Sequence, residues 1–454
     1  MEREEYGYDE RTAAETARDA APRRRGAPAE TPPGGRRGAA GDSGPAADDT
    51  GAAGGGAARL DLFTGDRVLW IIVAALAVIS VLVVYSSTAK MAYDAHTART
   101  TAHFLRQQLM ILAASLVVMF AVQKINCRIY NLLARPAYFI GATTNGAARW
   151  IPLGPFQFQP SEALKVATVL FLAQQLAGRQ SKIDKIRIVP TWRFWTWRSS
   201  PAQRKIWREG TWPILMPVAV SCLVIFPAHT SSAVLVAMAS WVMMLIGRVR
   251  FGELMKLVGW GVAAIAVVMT LNLGRSETAE GRVSTWIHLW TSSQVDKPIE
   301  HLTDTERSMI AIHNGGILGE GAGQSAMRVE MIHPESDYAY AFFVEEYGLL
   351  LAVVLLMLYL WIFFRAIEIF RRCGTAFPGL LVLGLALLIT CQALLHVMVT
   401  VNLIPETGQT LPLISRGGSS TLFTTIALGM ILSVSRQNDE QSHDRPRAET
   451  LYER

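Results

Sequence analysis

Three separated stretches of the chain carry the residue types that could do chemistry. The first stretch runs from Asn145 to Lys165, and its Glu162 and Lys165 stand three residues apart on one face of a predicted helix. The pair lies at the boundary of an apolar run, and two interpretations stay open. It either steadies the start of the helix as a salt bridge or acts on a substrate.

The second stretch runs from Gly315 to Glu346. It ends with acidic residues, one directly before a long apolar run and two inside that run. Asp337 stands directly before the run, where a partly desolvated carboxylate could act as a general base, and helix capping is the alternative. Glu335 is the neighbouring second candidate. Glu345 and Glu346 lie inside the run, where two adjacent carboxylates form either a proton or ion path or a hydrogen-bonded structural pair.

A glycine-rich segment, Gly315 to Ser325, precedes these acids. A nucleotide-binding loop is not predicted, because no strand pattern precedes the segment and no Gly-Lys-Ser/Thr follows it. We expect instead a flexible backbone that can come close to a bulky ligand.

The third stretch, Thr407 to Ser420, is polar and lies directly before another apolar run. Irregular backbone next to a membrane span is tolerated only where it is buried in protein or lines a cavity. Hydroxyl and backbone donors beside a guanidinium suit pyrophosphate oxygens. The residues concerned are Ser415, Arg416, Gly417, Gly418 and Ser419.

Metal and redox chemistry find little support in the sequence. His396 lies alone within an apolar run, where a hydrogen-bonded core residue is the expected role. No His-Glu-x-x-His, paired-histidine or Asp-x-Asp pattern occurs, so a tightly held metal is not predicted. The four cysteines show no Cys-x-x-Cys spacing, which excludes a zinc or redox motif of that type.

Composition indicates a polytopic membrane protein. Of 454 residues, 51% are hydrophobic and only 18% are charged. The apolar residues come in blocks that suffice for about ten spans of ~20 residues. The net charge of +6 belongs in cytoplasmic loops, where Lys and Arg set topology, rather than against nucleic acid.

The blocks predict an all-α polytopic fold with about ten transmembrane helices. Charged loops on both sides of the Ser161–Leu176 run require one more crossing before that run. We place this crossing at Leu132 to Thr144, where it carries Arg135 and Pro136 and is the third span in chain order. This third span is short or atypical for a bilayer of ~30 Å. The other nine runs are Val68–Tyr85, Gln108–Val122, Ser161–Leu176, Trp212–Pro227, Ala233–Ile246, Leu254–Leu273, Tyr338–Phe364, Pro378–Ile404 and Ser420–Val434.

The same pattern predicts the domain organisation. Residues 1–60 are rich in Ala, Gly, Pro and charge and form a disordered cytoplasmic tail. The transmembrane domain covers 61–436, with a large extracytoplasmic loop at 274–336 between helices seven and eight, and 437–454 form a cytoplasmic C-terminal tail. Both termini are then cytoplasmic.

Together the three stretches resemble the SEDS family of bacterial cell-wall proteins, which includes FtsW, RodA and SpoVE. The motifs occur in the family's order: NGAARWI with QPSEALK, GGILGEGAGQS with VEEYG, and TGQTLPLISRGGSS. The resemblance covers Gly65 to Arg436. The Tyr-Ser-Ser-Thr after the first run and NGAARWI are closer to the FtsW type than to the RodA type.

The resemblance implies a peptidoglycan glycosyltransferase that polymerises lipid II at the outer face of the bacterial cytoplasmic membrane during cell division. Asp337 matches the family's proposed catalytic base, which would deprotonate the acceptor hydroxyl for inverting attack on the donor. Arg149, Lys165 and Arg416 would neutralise the departing undecaprenyl pyrophosphate, and Glu162 would orient Lys165. No cofactor is implied, although a loosely bound divalent cation could assist. The implied partners are a class B penicillin-binding transpeptidase and other divisome proteins.

The chain departs from the family pattern in three places. The third span is shortened, and Arg416 stands where an aromatic residue is common. Where many members have an acidic Pro-Asp-Leu-Gly-Thr, this chain has Pro227 to Ser231, Pro-Ala-His-Thr-Ser, so no role of that acid is carried over.

Two alternatives to a polymerase come from other functional classes. A lipid II flippase or proton-coupled transporter would use Glu345, Glu346 and the Glu162–Lys165 pair as a relay. No matching pair of Gly/Pro-broken spans supports it. An inactive scaffold for a transpeptidase is the second alternative, and the presence of Asp337 argues against it.

Overall fold

The computed structural model describes residues 64–88, 101–144, 151–153, 156–185, 205–270, 276–291, 301–331 and 335–452. The predicted disordered tail, 1–60, lies outside these residues, as does Arg149.

The described residues form an all-α fold with one short β-hairpin. Strands β1 (Ile151–Leu153) and β2 (Phe156–Phe158) pair antiparallel. The helices are α1 (Arg67–Ser87), α2 (Thr101–Gln123), α3 (Cys127–Thr144), α4 (Pro160–Ala177), α5 (Trp212–Ile225), α6 (Thr230–Ile246), α7 (Phe251–Thr270), α8 (Ser276–Thr291), α9 (Asp304–Gly315), α10 (Met327–Glu330), α11 (Ala339–Arg372), α12 (Ala376–Thr400) and α13 (Gly418–Tyr452). A 3₁₀ turn, Gln180–Lys185, follows α4, and a π-helical turn, Trp207–Thr211, precedes α5.

Each predicted apolar run lies on an observed helix. Five helices within the described ranges, α1, α2, α11, α12 and α13, are long and apolar enough to cross a membrane. The all-α polytopic architecture is therefore confirmed, and the number of ten spans stays a prediction.

The third span is longer than the sequence predicted. Helix α3 begins at Cys127 rather than at Leu132, so its 18 residues extend ~27 Å at 1.5 Å per residue. Pro136 lies inside it, where a helix loses one backbone hydrogen bond. The helix is therefore atypical in composition and only slightly short.

Helices α4 and α12 lie at the centre of the fold. Almost every residue of α4 is buried, and α12 packs against α4, α6, α11 and α13. Pro160 at the first turn and the glycine after Ala177 delimit α4. The Glu162–Lys165 pair thus stands on an interior helix.

An ion pair joins the start of α1 to the C-terminal part of α11. Asp66 caps α1, since its Oδ1 accepts from the backbone N–H of Val68 at 2.8 Å. Its Oδ2 accepts from Nε and Nη2 of Arg365 at 2.8 and 2.6 Å. Arg365 also pairs with Glu368.

Two glycines of the glycine-rich segment pack against the backbone of α11, and the ligand contact predicted for the segment stays a prediction. A Cβ on Gly315 would lie 2.2 Å from Val344 O, and one on Gly319 would lie 2.4 Å from Glu346 O. Helix α11 also has a glycine at this contact, Gly348, whose φ of 82° departs from helical geometry. Leu349 N then donates to Gly316 O at 3.0 Å. The glycines permit two backbones to touch.

Asp66→Asn separates the ion pair from the helix cap, because asparagine is also a good capping residue. We expect thermal unfolding in detergent to show a loss of about 1–3 kcal/mol, since Arg365 is partly exposed and keeps Glu368. Asp66→Ala removes the cap as well and should lower the midpoint further. Equal midpoints for Asp66→Asn and wild type would contradict the ion-pair contribution.

Gly319→Ala and Gly323→Ala form a matched pair. Both positions have positive φ, +83° and +78°, but nothing lies within 4 Å of a Cβ on Gly323. We expect Gly319→Ala to cost about 2 kcal/mol more than Gly323→Ala because only the first meets α11. Similar melting temperatures for the two variants would show that backbone strain, not the contact, decides the cost.

Candidate active site

The segment between α12 and α13, residues 401–417, contains most of the third stretch and is where the first two stretches meet it. It is irregular, and its backbone carbonyls accept hydrogen bonds from side chains of other elements. These donors are Trp286 and Trp290 to Asn402 O, Ser231 to Thr407 O, His396 to Gln409 O, Gln392 to Thr410 O, Tyr359 to Pro412 O and Ser80 to Ile414 O. We call this the α12–α13 segment.

Asp337 lies against the α12–α13 segment. It is half-buried, and its Oδ1 accepts from Ser336 Oγ at 2.7 Å. Its Oδ2 lies 3.8 Å from the position that a Cβ on Gly408 would take. Any side chain at position 408 would therefore contact the carboxylate, and glycine avoids that contact.

Two hydrogen bonds fasten the second stretch to the third. Ser415 Oγ donates to Ser336 O at 2.7 Å and accepts from Leu411 N at 2.8 Å. The backbone N–H of Arg416 donates to Glu335 O at 2.8 Å. The side chain of Glu335 is buried. Ser415 thus braces the site, and Glu335 is less accessible than Asp337.

The first stretch reaches the same segment through a buried lysine. Lys165 Nζ lies 2.8 Å from Glu162 Oε1 and donates to Gln392 Oε1 at 2.9 Å. The amide of Gln392 donates to Thr410 O at 3.0 Å. The side chain of Lys165 is only 1% exposed. Gln392 therefore completes a network that joins α4 to the α12–α13 segment.

Arg416 lies at the start of α13 beside α2. Its guanidinium stacks over the Phe104 ring, 4.7 Å from the centroid, and Nη2 donates to Gln107 Oε1 at 3.2 Å. Gly417 and Gly418 follow, and α13 begins at Gly418 with Ser419 in its first turn. The first N–H groups of a helix have no partner within the helix, so a cation beside a helix start suits anionic oxygens.

Glu345 and Glu346 lie apart from this site and bind the glycine-rich segment. Ser325 Oγ donates to Glu345, which also accepts from Met327 N at 3.2 Å. Glu346 accepts from Ser86 Oγ and from Gly323 N at 2.9 Å. Both residues are fully buried. These contacts support the hydrogen-bonded structural pair among the two interpretations of the sequence.

The segment that departs from the family pattern is part of the site. His229 Nε2 lies 2.7 Å from Gln159 Nε2, at the N-terminal end of α4. Ser231 Oγ donates to Thr407 O at 2.7 Å. The Gln409 amide donates to Ser231 Oγ at 2.8 Å and to Ser232 Oγ at 2.9 Å. The start of α6 therefore connects the first and third stretches without a carboxylate.

A second carboxyl, Glu406, lies near Asp337. Burial raises the pKa of Glu406, the Arg282 guanidinium opposes that shift, and the charges of Asp337 and Asp304 add to it. Arg282 Nη1 also donates to Glu406 O at 3.4 Å. Sequence reasoning missed Glu406, Arg282, Gln392, His229 and Ser231. None belongs to a local pattern that marks a site.

Among the residues that the structure describes, no three His, Cys, Asp or Glu side chains come together as metal ligands. This part of the chain therefore does not fit a tightly held metal ion.

Comparison with known proteins agrees with this fold and these motifs. A family model described as cell cycle protein FtsW/RodA/SpoVE matches residues 66–440. The probable peptidoglycan glycosyltransferase FtsW of Marinobacter nauticus is 32% identical over 67% of this chain and 70% of that protein. The FtsW of Coxiella burnetii is 26% identical over 82% of this chain and 96% of its own length. Stage V sporulation protein E of Bacillus subtilis is 26% identical over 82% and 97%.

Solved structures show the same architecture. A peptidoglycan synthase complex, solved to describe how polymerization and crosslinking are coordinated, contains a chain that matches with a TM-score of 0.59 at 22% identity. A mutant of the rod shape determining protein RodA of Thermus thermophilus matches with a TM-score of 0.54 at 22% identity. Each match covers 83% of this chain and 99% of the other. The chain belongs to the FtsW, RodA and SpoVE family of cell cycle proteins, and it is FtsW-like.

Proposed function

We propose that this chain is a peptidoglycan glycosyltransferase that polymerises lipid II for septal wall synthesis. The observation that carries the proposal is the convergence of all three motif stretches on the α12–α13 segment, with a half-buried carboxylate at one place and cationic groups at two others. Glycosyl transfer to a hydroxyl with loss of a diphosphate needs a base at the acceptor and positive charge at the leaving group.

Asp337 is the base in this proposal. Its carboxylate would take the proton of the 4-hydroxyl of the acceptor GlcNAc, whose oxygen then attacks the anomeric carbon of the donor MurNAc. The bond from that carbon to the undecaprenyl pyrophosphate breaks, and the configuration inverts. The space beside Gly408 would admit the acceptor sugar to Oδ2, while Ser336 holds Oδ1.

In this proposal Lys165 and Arg416 stabilise the negative charge of the leaving pyrophosphate. The Lys165 ammonium is the more deeply buried charge, and the Gln392 amide and Glu162 fix its direction. Arg416 with the first turn of α13, including Gly417, Gly418 and Ser419, would bind the outer phosphate oxygens. Arg149 lies outside the described residues, and its role rests on the NGAARWI motif alone.

The structure disfavours the transporter alternative. A proton relay needs carboxylates that face a pathway, but the hydrogen-bond donors to Glu345 and Glu346 come from the glycine-rich segment, Asn314, Met327 and Ser86. These hydrogen bonds indicate that the two carboxylates hold neighbouring elements together.

The proposal places the chain in the bacterial cytoplasmic membrane with both termini in the cytoplasm. The positive charge of the loops supports this orientation. The expected partners are a class B penicillin-binding transpeptidase and other divisome proteins.

Asp337→Asn tests the base. Glycan strands made from purified lipid II should fall by at least about 100-fold, the usual contribution of a general base, while the melting temperature stays unchanged. The assay is run with and without the cognate transpeptidase, and Glu335→Gln is the neighbouring control. Full polymerisation by Asp337→Asn would remove this residue from the chemistry, and no polymer from folded wild type with its partner would reject the glycosyltransferase.

The Glu162–Lys165 pair allows a test that separates folding from catalysis. Lys165→Gln leaves a buried carboxylate unpaired and should cost about 3–5 kcal/mol. Glu162→Gln with Lys165→Gln removes both charges and should recover most of that stability. Polymerisation should stay low in the double variant because the ammonium is missing. Recovery of both stability and activity would reduce the pair to a structural salt bridge.

A further inference from the structure

A buried histidine touches the two elements that flank Asp337. His396 lies on α12 and is 1% exposed. Its Nε2 accepts from the backbone N–H of Tyr340 at 3.3 Å, and its Nδ1 lies 2.7 Å from Gln409 O. Tyr340 is in the first turn of α11, three residues after Asp337, and Gln409 follows Gly408 in the α12–α13 segment.

The partners determine the form of the imidazole. A backbone N–H only donates and a carbonyl only accepts, so Nε2 must carry the lone pair and Nδ1 the proton. Both ring nitrogens are thereby used, and the ring is the neutral Nδ1–H tautomer. A second proton on Nε2 would face the Tyr340 N–H and break that bond.

The bond to Tyr340 replaces a missing helix cap. The first N–H groups of a helix have no partner within the helix. Tyr338, the residue at the cap position of α11, makes no side-chain capping bond in the described part of the chain. His396, on the neighbouring helix α12, accepts a hydrogen bond from one of these groups. It thereby fixes the N-terminal end of α11, next to Asp337.

The bond to Gln409 fixes the α12–α13 segment, which is the second element beside Asp337. Gln409 also donates through its amide to Ser231 and Ser232 at the start of α6. One imidazole therefore sets the spacing between the residue that carries the carboxylate and the segment that carries Gly408.

We propose that His396 is a positioning residue that holds Asp337 in register with the α12–α13 segment for glycosyl transfer. The proposal rests on the proposed function, and it assigns a role in the reaction to a buried residue of α12 that acts through Asp337 rather than on the substrate. Catalysis depends on placing the base to within a fraction of an ångström, and a displacement of about 1 Å can cost about 100-fold.

The test compares His396→Leu with His396→Asn and His396→Gln. Leucine fills a similar volume but neither donates nor accepts, whereas both amides keep one donor and one acceptor. We expect kcat for lipid II polymerisation to fall about 10- to 100-fold in His396→Leu, with KM within about twofold of wild type. At least one amide variant should return kcat to within about threefold of wild type.

Thr390→Val is the matched control. Thr390 is buried on the same helix and donates to Tyr359 O of α11 at 3.1 Å, far along α11 from Asp337. Loss of this bond should leave kcat unchanged even where it lowers the melting temperature.

The outcomes separate the two proposals. Wild type that makes no polymer fails the proposed function, whatever the variants do. Active wild type with a folded His396→Leu variant at full kcat overturns the positioning role. If His396→Leu does not fold, the amide variants decide: recovered kcat supports the role, and folded amide variants that both stay inactive overturn it.

Discussion

The constraint on which this structure depends is the need to satisfy an irregular backbone inside an apolar protein. The α12–α13 segment has almost no regular hydrogen bonding of its own, and unpaired carbonyls away from water are costly. Side chains from α1, α6, α8, α11 and α12 supply the donors. Because these donors are scattered over the sequence, the whole helical assembly is required to hold the segment.

The same constraint explains why the chemistry collects at this place. A segment held by so many separate helices has a fixed shape, and groups attached to it or packed on it keep fixed positions. Asp337 gains its position from Ser336, Ser415 and the end of α11. Lys165 gains its position from Gln392, which is itself bonded to the segment. Asp337 and Lys165 are therefore both held in position relative to the α12–α13 segment.

Sequence reasoning predicted what depends on neighbours along the chain. Apolar runs predicted the helices, and the spacing of Glu162 and Lys165 predicted that they share one helix face, where Lys165 Nζ and Glu162 Oε1 lie 2.8 Å apart. Contacts over long sequence separations could not be predicted. Gln392 is one polar residue in an apolar helix, and nothing local shows that it bonds to Lys165, 227 positions away.

The glycine-rich segment shows the same limit. Glycines there indicated close approach of a backbone, but the sequence did not show that Gly315 and Gly319 approach α11. The start of α3 was missed for a related reason. Arg128 and Asn131 interrupt the apolar pattern, yet Cys127 is buried and its N–H donates to Gln437. Periodicity detects faces toward lipid or core and does not detect polar anchoring to another helix.

The loss of the family's acid at the start of α6 alters the charge balance of the site. Around Lys165, the bonded groups in the described structure are one carboxylate, Glu162, and one neutral amide, Gln392. The start of α6 contributes an imidazole and hydroxyls, where the pattern expected from the resemblance has a carboxylate. Arg416, where that pattern has an aromatic residue, places a cation over Phe104. In the proposed reaction both changes act in the same direction, because a diphosphate that gains charge as it leaves is stabilised by positive potential in a site from which water is largely excluded. The two departures from the expected pattern are therefore compatible with the proposed chemistry.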